Sequence, residues 1–342
     1  MIKLRYLQFT LGLLISMTLL AGCAFTGRSI PTEIPIQLID QNGNPDGSST
    51  PTPFLPDLAG EMPKPGDATA VTPTPEKTEG VSLGLERPEG QVNILLLGSD
   101  WRPGQSYRTD VIMLLSLIPD RGIATLTSFP RDLYVNIPGI GYERINATQP
   151  YGGFELTQQT FAEVFDAPID YYIMTNFAGF SGIIDTLGGI TVNAAQGLTD
   201  RCDLPQAVDK MCSVPAGRVT MNGATALWYV RSRYSTDDFD RTRRAQEVII
   251  AIAQKAMSLD AVSRAGELFE LFRNSVETNV PLDVIVKMLP LATDIMRDPS
   301  ILQRYAITEN EITHYIVPVT HAMVLLPDYD AIAEIIRQAL YP

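Results

Sequence analysis

The chain has 342 residues, with 26 lysines and arginines against 39 aspartates and glutamates and a formal net charge of −13. That acidity excludes a general nucleic-acid binder but leaves room for a local basic pocket that takes an anionic substrate, so the clustering of arginines matters more than their total. The length, less a leader and a linker, fits one large globular domain.

At the N-terminus Lys3 and Arg5 precede an apolar run from Leu7 to Leu20, and Leu20-Ala21-Gly22-Cys23 follows at once. A cationic start, an apolar stretch shorter than the roughly 20 residues of a spanning helix, and small residues ahead of a cysteine predict a lipoprotein signal peptide over residues 1–22. Cys23 then becomes the acylated N-terminus, and the remainder is expected at the extracytoplasmic face of the cell membrane, held there by its lipid anchor. An uncleaved anchor helix would place it on the same side. Residues 24–80 carry 10 of the 25 prolines among many Thr, Ser, Gly and Asp, as in Thr50-Pro51-Thr52-Pro53. Residues 23–80 therefore read as a disordered linker with a reach on the order of 40 Å.

The pattern changes after Gly80, and residues 81–342 are expected to fold. Val92–Gly98 is a short apolar run of the kind buried on both faces of a sheet, and Val111–Ile118 is another. Pro119-Asp120-Arg121-Gly122 turns the chain into Ile123–Phe129, which predicts an antiparallel hairpin in a mixed sheet, with Leu133–Ile137 read as its continuation. Helix is expected over 155–165, strand over 171–177, helix over 178–187 and strand over 190–192, an alternation typical of layered α/β domains. Further helices are predicted over 241–257, 265–273, 282–291 and 330–340, with a late strand over 315–319.

Cys202 and Cys212 fall in a loop-like stretch with Asp200, Asp203, Pro205 and Asp209. Outside the cytoplasm a disulfide is the natural reading. A zinc site is disfavoured because the two histidines, His314 and His321, are remote in sequence. Gly-x-Ser-x-Gly is absent, so a serine triad lacks support.

Short polar segments sit instead at predicted strand ends, where α/β sheets bind ligands. Gly98-Ser99-Asp100-Trp101-Arg102 follows the first strand, and Arg108-Thr109-Asp110 precedes the second. The two carboxylates can converge on a hard cation such as magnesium, or serve as ordinary turn caps. Ser128-Phe129-Pro130-Arg131-Asp132 ends the hairpin, and Arg144-Ile145-Asn146-Ala147 and Tyr151-Gly152-Gly153 come next. Tyr229-Val230-Arg231-Ser232-Arg233 and Asp237-Asp238-Phe239-Asp240-Arg241-Thr242-Arg243-Arg244-Ala245-Gln246 then bring five arginines between positions 231 and 244. Asn222 is a candidate cap for a helix delivering Arg231 and Arg233, and Asp240 for the next one, on which Arg241 and Arg244 share a face. Converging guanidinium groups suit a diphosphate; the alternative is a solvated helix start whose arginines pair with Asp237, Asp238 and Asp240.

Taken in order, these segments resemble the signature of the LytR-CpsA-Psr family over roughly residues 90–258, joined by Ile169-Asp170-Tyr171-Tyr172 and Asp185-Thr186-Leu187-Gly188-Gly189-Ile190. Arg144 stands where lysine is common in that family, Asp240 where glycine is, and Ala245 where glutamine is. The resemblance implies a three-layer α/β/α fold with a mixed central sheet, a catalytic domain over 81–342 and an apolar interior that takes a polyprenyl tail. It implies that Asp100 and Asp110 hold magnesium, or manganese in its place. Arg108, Arg131, Arg231, Arg233 and Arg241 would hold the diphosphate, with Arg244 and Gln246 contributing and Arg102 and Arg144 at the margin. Asp110, Arg131, Arg233 and Arg241 form the expected catalytic set, and Asp110 is the carboxylate expected to assist the acceptor hydroxyl. The implied reaction carries a glycopolymer from a polyprenyl diphosphate to a peptidoglycan hydroxyl. Its rivals are hydrolysis of the same lipid diphosphate and a non-catalytic binding or regulatory lipoprotein. Residues 259–342 are assigned to packing and the lipid pocket.

Overall fold

The computed structural model describes residues 80–101, 108–235, 238–258, 275–318 and 320–342, all within the compact unit Pro51–Pro342. The leader, Cys23, the linker, Arg102 and the helix expected over 265–273 lie outside the described residues.

Apolar alternation builds the central sheet. Strands β1 (Val92–Ser99), β2 (Thr109–Ile118) and β3 (Ile123–Phe129) form an antiparallel meander. Its tight turn is a single 3-10 turn over Pro119–Arg121, closed by Gly122 at φ 64°, a left-handed position that glycine adopts without a Cβ penalty. The strand expected to continue it departs: β4 (Tyr134–Ile137) pairs with β5 (Gly141–Arg144) as a separate ribbon. Helix α1 (Thr148–Phe165) starts earlier than predicted and is broken at Gly152 and Gly153, the latter at φ 62°. Strand β6 (Tyr171–Asn176) then runs parallel to β1.

Next come α2 (Phe177–Thr186), β7 (Ile190–Ala194), β8 (Leu198–Arg201), β9 (Met211–Val214), β10 (Gly217–Met221), α3 (Gly223–Arg231) and α4 (Asp238–Ser258). The chain continues with β11 (Glu277–Thr278), α5 (Leu282–Arg297), β12 (Leu302–Ala306), β13 (Ile312–Ile316), β14 (Met323–Pro327) and α6 (Tyr329–Leu340). The central sheet has six strands in the order β11-β6-β1-β2-β3-β12, and β12 is parallel to β3. Since β1 is antiparallel to β2 and β2 to β3, the strands β6, β1, β3 and β12 all finish at one end of the sheet, where β2 begins.

Alternate residues serve opposite faces. Leu95, Leu97, Ile112, Leu114 and Phe129 pack with Phe161 and Phe165 of α1 and Ile332 and Ile336 of α6. On the other face Met113 and Leu126 meet Ala245 of α4, and Leu117 and Ala124 meet Met288 and Leu291 of α5. The layers are thus helix, mixed sheet, helix. Leu114 is fully buried, a contribution of about 1.5 to 3 kcal/mol for a side chain of that kind. A second cluster joins β7 and β10 to α2, α3 and α4, so α4 bridges the sheet and this flanking unit.

Candidate active site

The predicted segments gather at the sheet end where β1, β3, β6 and β12 finish. The β1–β2 pairing slips between Gly98 and Ser99: Val111 opposes Gly98 and Thr109 opposes Ser99, so Asp110 is the extra residue. A bulge of this kind re-aims a side chain. Asp110 Oδ1 forms an ion pair with Arg131 Nη1 from the loop after β3, and the Asp110 carbonyl accepts a hydrogen bond from Arg241 Nη2 at 3.4 Å. Arg241 is buried, 6 % exposed, in the first turn of α4. The charges continue in alternation: Arg131 Nε lies 3.3 Å from Asp132 Oδ2, and Arg144 Nε lies 3.3 Å from Asp132 Oδ1. The last contact is ionic without hydrogen-bond alignment, and Arg144 is anchored by donating from Nη2 to Met323 O at 2.7 Å.

Asp100 sits half-buried beyond β1. Its Oδ1 accepts from the Arg108 amide at 2.7 Å, and its own amide donates to Arg108 O at 3.2 Å, which ties the two ends of the 100–108 loop together. Arg108 is exposed. Among the described residues the Oδ2 atoms of Asp100 and Asp110 receive no hydrogen bond. Magnesium takes one or two carboxylates and fills the remaining positions with water and phosphate oxygens, so this donor pair fits it. No group of three or more potential metal ligands occurs among the described residues.

The second arginine group follows α3. Asn222 caps that helix as expected, its Oδ1 accepting from the Thr225 amide at 2.9 Å. Arg231 ends the helix, exposed, with its guanidinium carbon 4.2 Å from the centre of the Phe177 ring, where β6 passes into α2. Arg233 is exposed in the segment that leaves α3. Asp240 does not cap the next helix: α4 already includes Asp238, and Asp240 pairs with Arg243 at 3.0 Å inside the first turn.

Arg244 and Gln246 work differently from the other predicted ligands. Arg244 is 1 % exposed and donates from Nε to Tyr229 O at 2.8 Å and from Nη2 to Ser232 O, so it satisfies the carbonyls at the C-terminus of α3. Burial pulls its pKa below the ordinary guanidinium value. Gln246 Nε2 donates to Ser128 Oγ at 2.8 Å and Tyr305 O at 2.9 Å. Both residues fix the segments that carry Arg131, Arg231 and Arg233.

Sequence reasoning missed a further brace. The stretch around Cys202 and Cys212 is a hairpin, β8 paired with β9, and the two cysteines are bonded across it with Cα atoms 5.7 Å apart. Asp200, 2 % exposed, accepts from the Tyr234 amide at 3.0 Å through Oδ2. Trp228 Nε1 donates to Arg201 O at 2.8 Å, and the Arg201 guanidinium lies 3.9 Å over the Tyr234 ring. The hairpin thus holds the chain immediately after Arg233. Its sequence signal was the apolar alternation of Leu198 and Val214 around the cysteines, masked by turn-forming residues. His314 is exposed beside Glu309 at 2.9 Å, and His321 is exposed at φ 53°.

Comparison with known proteins agrees with the geometry. A family model described as the LytR_cpsA_psr family matches residues 66–324. The chain is 37 % identical over 214 residues to the polyisoprenyl-teichoic acid–peptidoglycan teichoic acid transferase TagU of Oceanobacillus iheyensis, covering 60 % of this chain and 64 % of that protein. It is 31 % identical over 211 residues to TagU of Bacillus subtilis, covering 61 % and 65 %. The chain thus spans somewhat less than two thirds of the length of these relatives. The crystal structure of B. subtilis TagU superposes with a TM-score of 0.56 at 26 % identity, covering 73 % of this chain and 95 % of that one. The family model spans most of the chain and the layered fold agrees with it, so the chain belongs to the LytR_cpsA_psr family.

Proposed function

We propose that this protein transfers a glycopolymer from a polyprenyl diphosphate carrier to a hydroxyl of peptidoglycan, leaving a phosphodiester and releasing polyprenyl phosphate. The observation that carries the reading is the convergence on Asp110 of Arg131, through an ion pair, and Arg241, through the Asp110 carbonyl, at the common end of β1 and β3. The relatives' names describe a transfer of this type.

Arg131 and Arg241 would bind phosphate oxygens at the sheet end, while Arg231 and Arg233 approach from the C-terminus of α3 and the segment after it. Fixed guanidinium groups stabilise the charge that builds on the transferring phosphoryl group and on the leaving phosphate. The bond between the acceptor oxygen and phosphorus forms as the bond to the lipid phosphate breaks. Asp110 would accept the acceptor proton or aim the attacking hydroxyl. The apolar layer between the sheet and α4, which includes Met113, Leu115 and Ile249, is the surface that would take the polyprenyl tail.

Asp100 and Asp110 are the residues that would hold magnesium, or manganese in its place, and the cation would neutralise phosphate charge there. Cys23 as lipid anchor, with residues 23–80 as tether, would keep the domain above the extracytoplasmic face of the membrane, within reach of both substrates. Product analysis tests the reading. A covalent adduct of polymer and peptidoglycan supports transfer; free phosphorylated polymer formed despite added wall fragments would make the protein a hydrolase.

A further inference from the structure

Helix α4 carries two functional faces. Arg241, Arg244, Ala245 and Val248 are buried toward the sheet and α3. On a second face Thr242, Arg243, Gln246 and Glu247 line a cleft of about 330 Å³, whose opposite wall is Arg304 to Ala306 and Thr308 at the end of β12. β12 lies beside β3 in parallel, so this wall stands one strand away from the loop of Arg131. Gln246 joins the two places through its bonds to Ser128 and Tyr305.

The floor of the cleft is rigid. Glu247, with its side chain 4 % exposed, accepts from Arg243 Nη1 at 2.6 Å, from the Ala195 amide at 3.2 Å and from Tyr229 Oη at 2.8 Å. Asp240 takes Arg243 Nη2 at 3.0 Å. Burial and the Glu247 hydrogen bond push the Tyr229 phenol up, so it stays a donor at working pH. Burial opposes the charge of Arg243, but its bonds to Asp240 and Glu247 outweigh that and raise its pKa. Arg243 is therefore a fixed, neutralised fork. Arg304 is exposed and makes no ion pair among the described residues, leaving one uncompensated cation on the rim.

A volume near the lower bound of about 300 Å³ for small-ligand sites fits a sugar unit and not a lipid chain. Phe239 and Tyr305 line the cleft with ring surface. From this chemistry we propose that the cleft is a glycan subsite, taking a sugar unit that carries an acidic substituent against Arg304. The inference rests on the transfer reading above and deepens it. Such a unit can come from the wall acceptor or from the glycopolymer being moved.

The test uses the full chain with Arg304→Ala and Arg304→Glu, whose exposed position lets the fold survive, as checked by thermal melting. Turnover is followed with a polyprenyl diphosphate bearing one sugar, with another bearing a short anionic glycan, and with muramidase-released peptidoglycan fragments as acceptor. Loss of a charge-assisted hydrogen bond should raise one KM roughly tenfold, and charge reversal should raise it further. A rise confined to the fragments assigns the cleft to the acceptor glycan; a rise confined to the longer donor assigns it to the polymer. KM values unmoved for every substrate would overturn the subsite. If the unsubstituted protein turns over no donor, the transfer reading fails on its own. Calorimetric binding of the same fragments, and of the short anionic glycan, then still judges the cleft, since equal affinity in the wild type and Arg304→Glu for both probes would overturn it.

Discussion

Asp110, the bulged residue at the start of β2, and Arg131, just past the end of β3, form an ion pair at the end of the sheet, and Arg241 reaches the carbonyl of the same aspartate. One residue thus gathers a side-chain cation from the β3 loop and another from α4.

Asp110→Asn keeps the size of the side chain and removes its charge. Transfer is expected to fall by at least about 100-fold, the scale of losing one preorganised electrostatic contact at a reacting phosphoryl group. Stability should change by less than about 1 kcal/mol, because the pair is partly exposed. Retained transfer in an initial-rate assay would remove Asp110 from both its proposed roles.

Arg244 should behave as a structural residue. Arg244→Ala leaves the carbonyls of Tyr229 and Ser232 without their buried donor, which predicts a loss of about 2 to 4 kcal/mol in urea unfolding. Arg231→Ala, at an exposed position, should leave the urea midpoint nearly unchanged while raising donor KM. Equal midpoints for the two variants would refute this division of labour.

The disulfide should matter twice. Cys202→Ser with Cys212→Ser opens a loop with a sequence separation of 10, and chain entropy predicts a loss of about 2 to 3 kcal/mol. Because Asp200 and Arg201 of the same hairpin hold Tyr234, donor KM should rise as well. A stability loss with donor KM unaltered would confine the hairpin to a structural role.

Alkaline unfolding carries a signature of Tyr329. Burial pushes its phenol up to about 12 from an ordinary value of 10. Above pH 10 the unfolded chain has lost this proton while the folded chain keeps it, so stability falls as pH rises. The contribution is whole below pH 10 and disappears by about pH 12. Tyr329→Phe should flatten that part of the stability curve in denaturant titrations at stepped pH; an unchanged slope would contradict the assignment.

The sheet was legible where burial on both faces produced apolar runs, as in β1 and β2, and where the Pro119–Gly122 turn announced β3. It was illegible where strands are short and edge-placed: β11 has two residues, and β12 reads Leu-Gln-Arg-Tyr-Ala with Gln303 and Arg304 exposed and no residue fully buried. Asp100, Arg108, Asp110 and Arg131 of the candidate site stood out because they flank apolar strands, and Arg231, Arg233 and Arg241 because they cluster in an acidic chain. The contacts of Arg244 were not legible, since helical spacing puts Arg241 and Arg244 on one face but cannot show that Arg244 meets the end of α3. Arg304 and the buried Glu247 carried no local pattern, because the cleft is made by bringing β12 beside α4 across some sixty residues.

The most direct test of the central claim is release of polyprenyl phosphate from a synthetic polyprenyl diphosphate sugar, with peptidoglycan fragments present, with and without magnesium, comparing the wild type with an Arg233→Ala, Arg241→Ala double variant. The account predicts release that depends on the cation and is lost in the variant. No release by the wild type under any of these conditions, or release that the double variant retains in full, would contradict it.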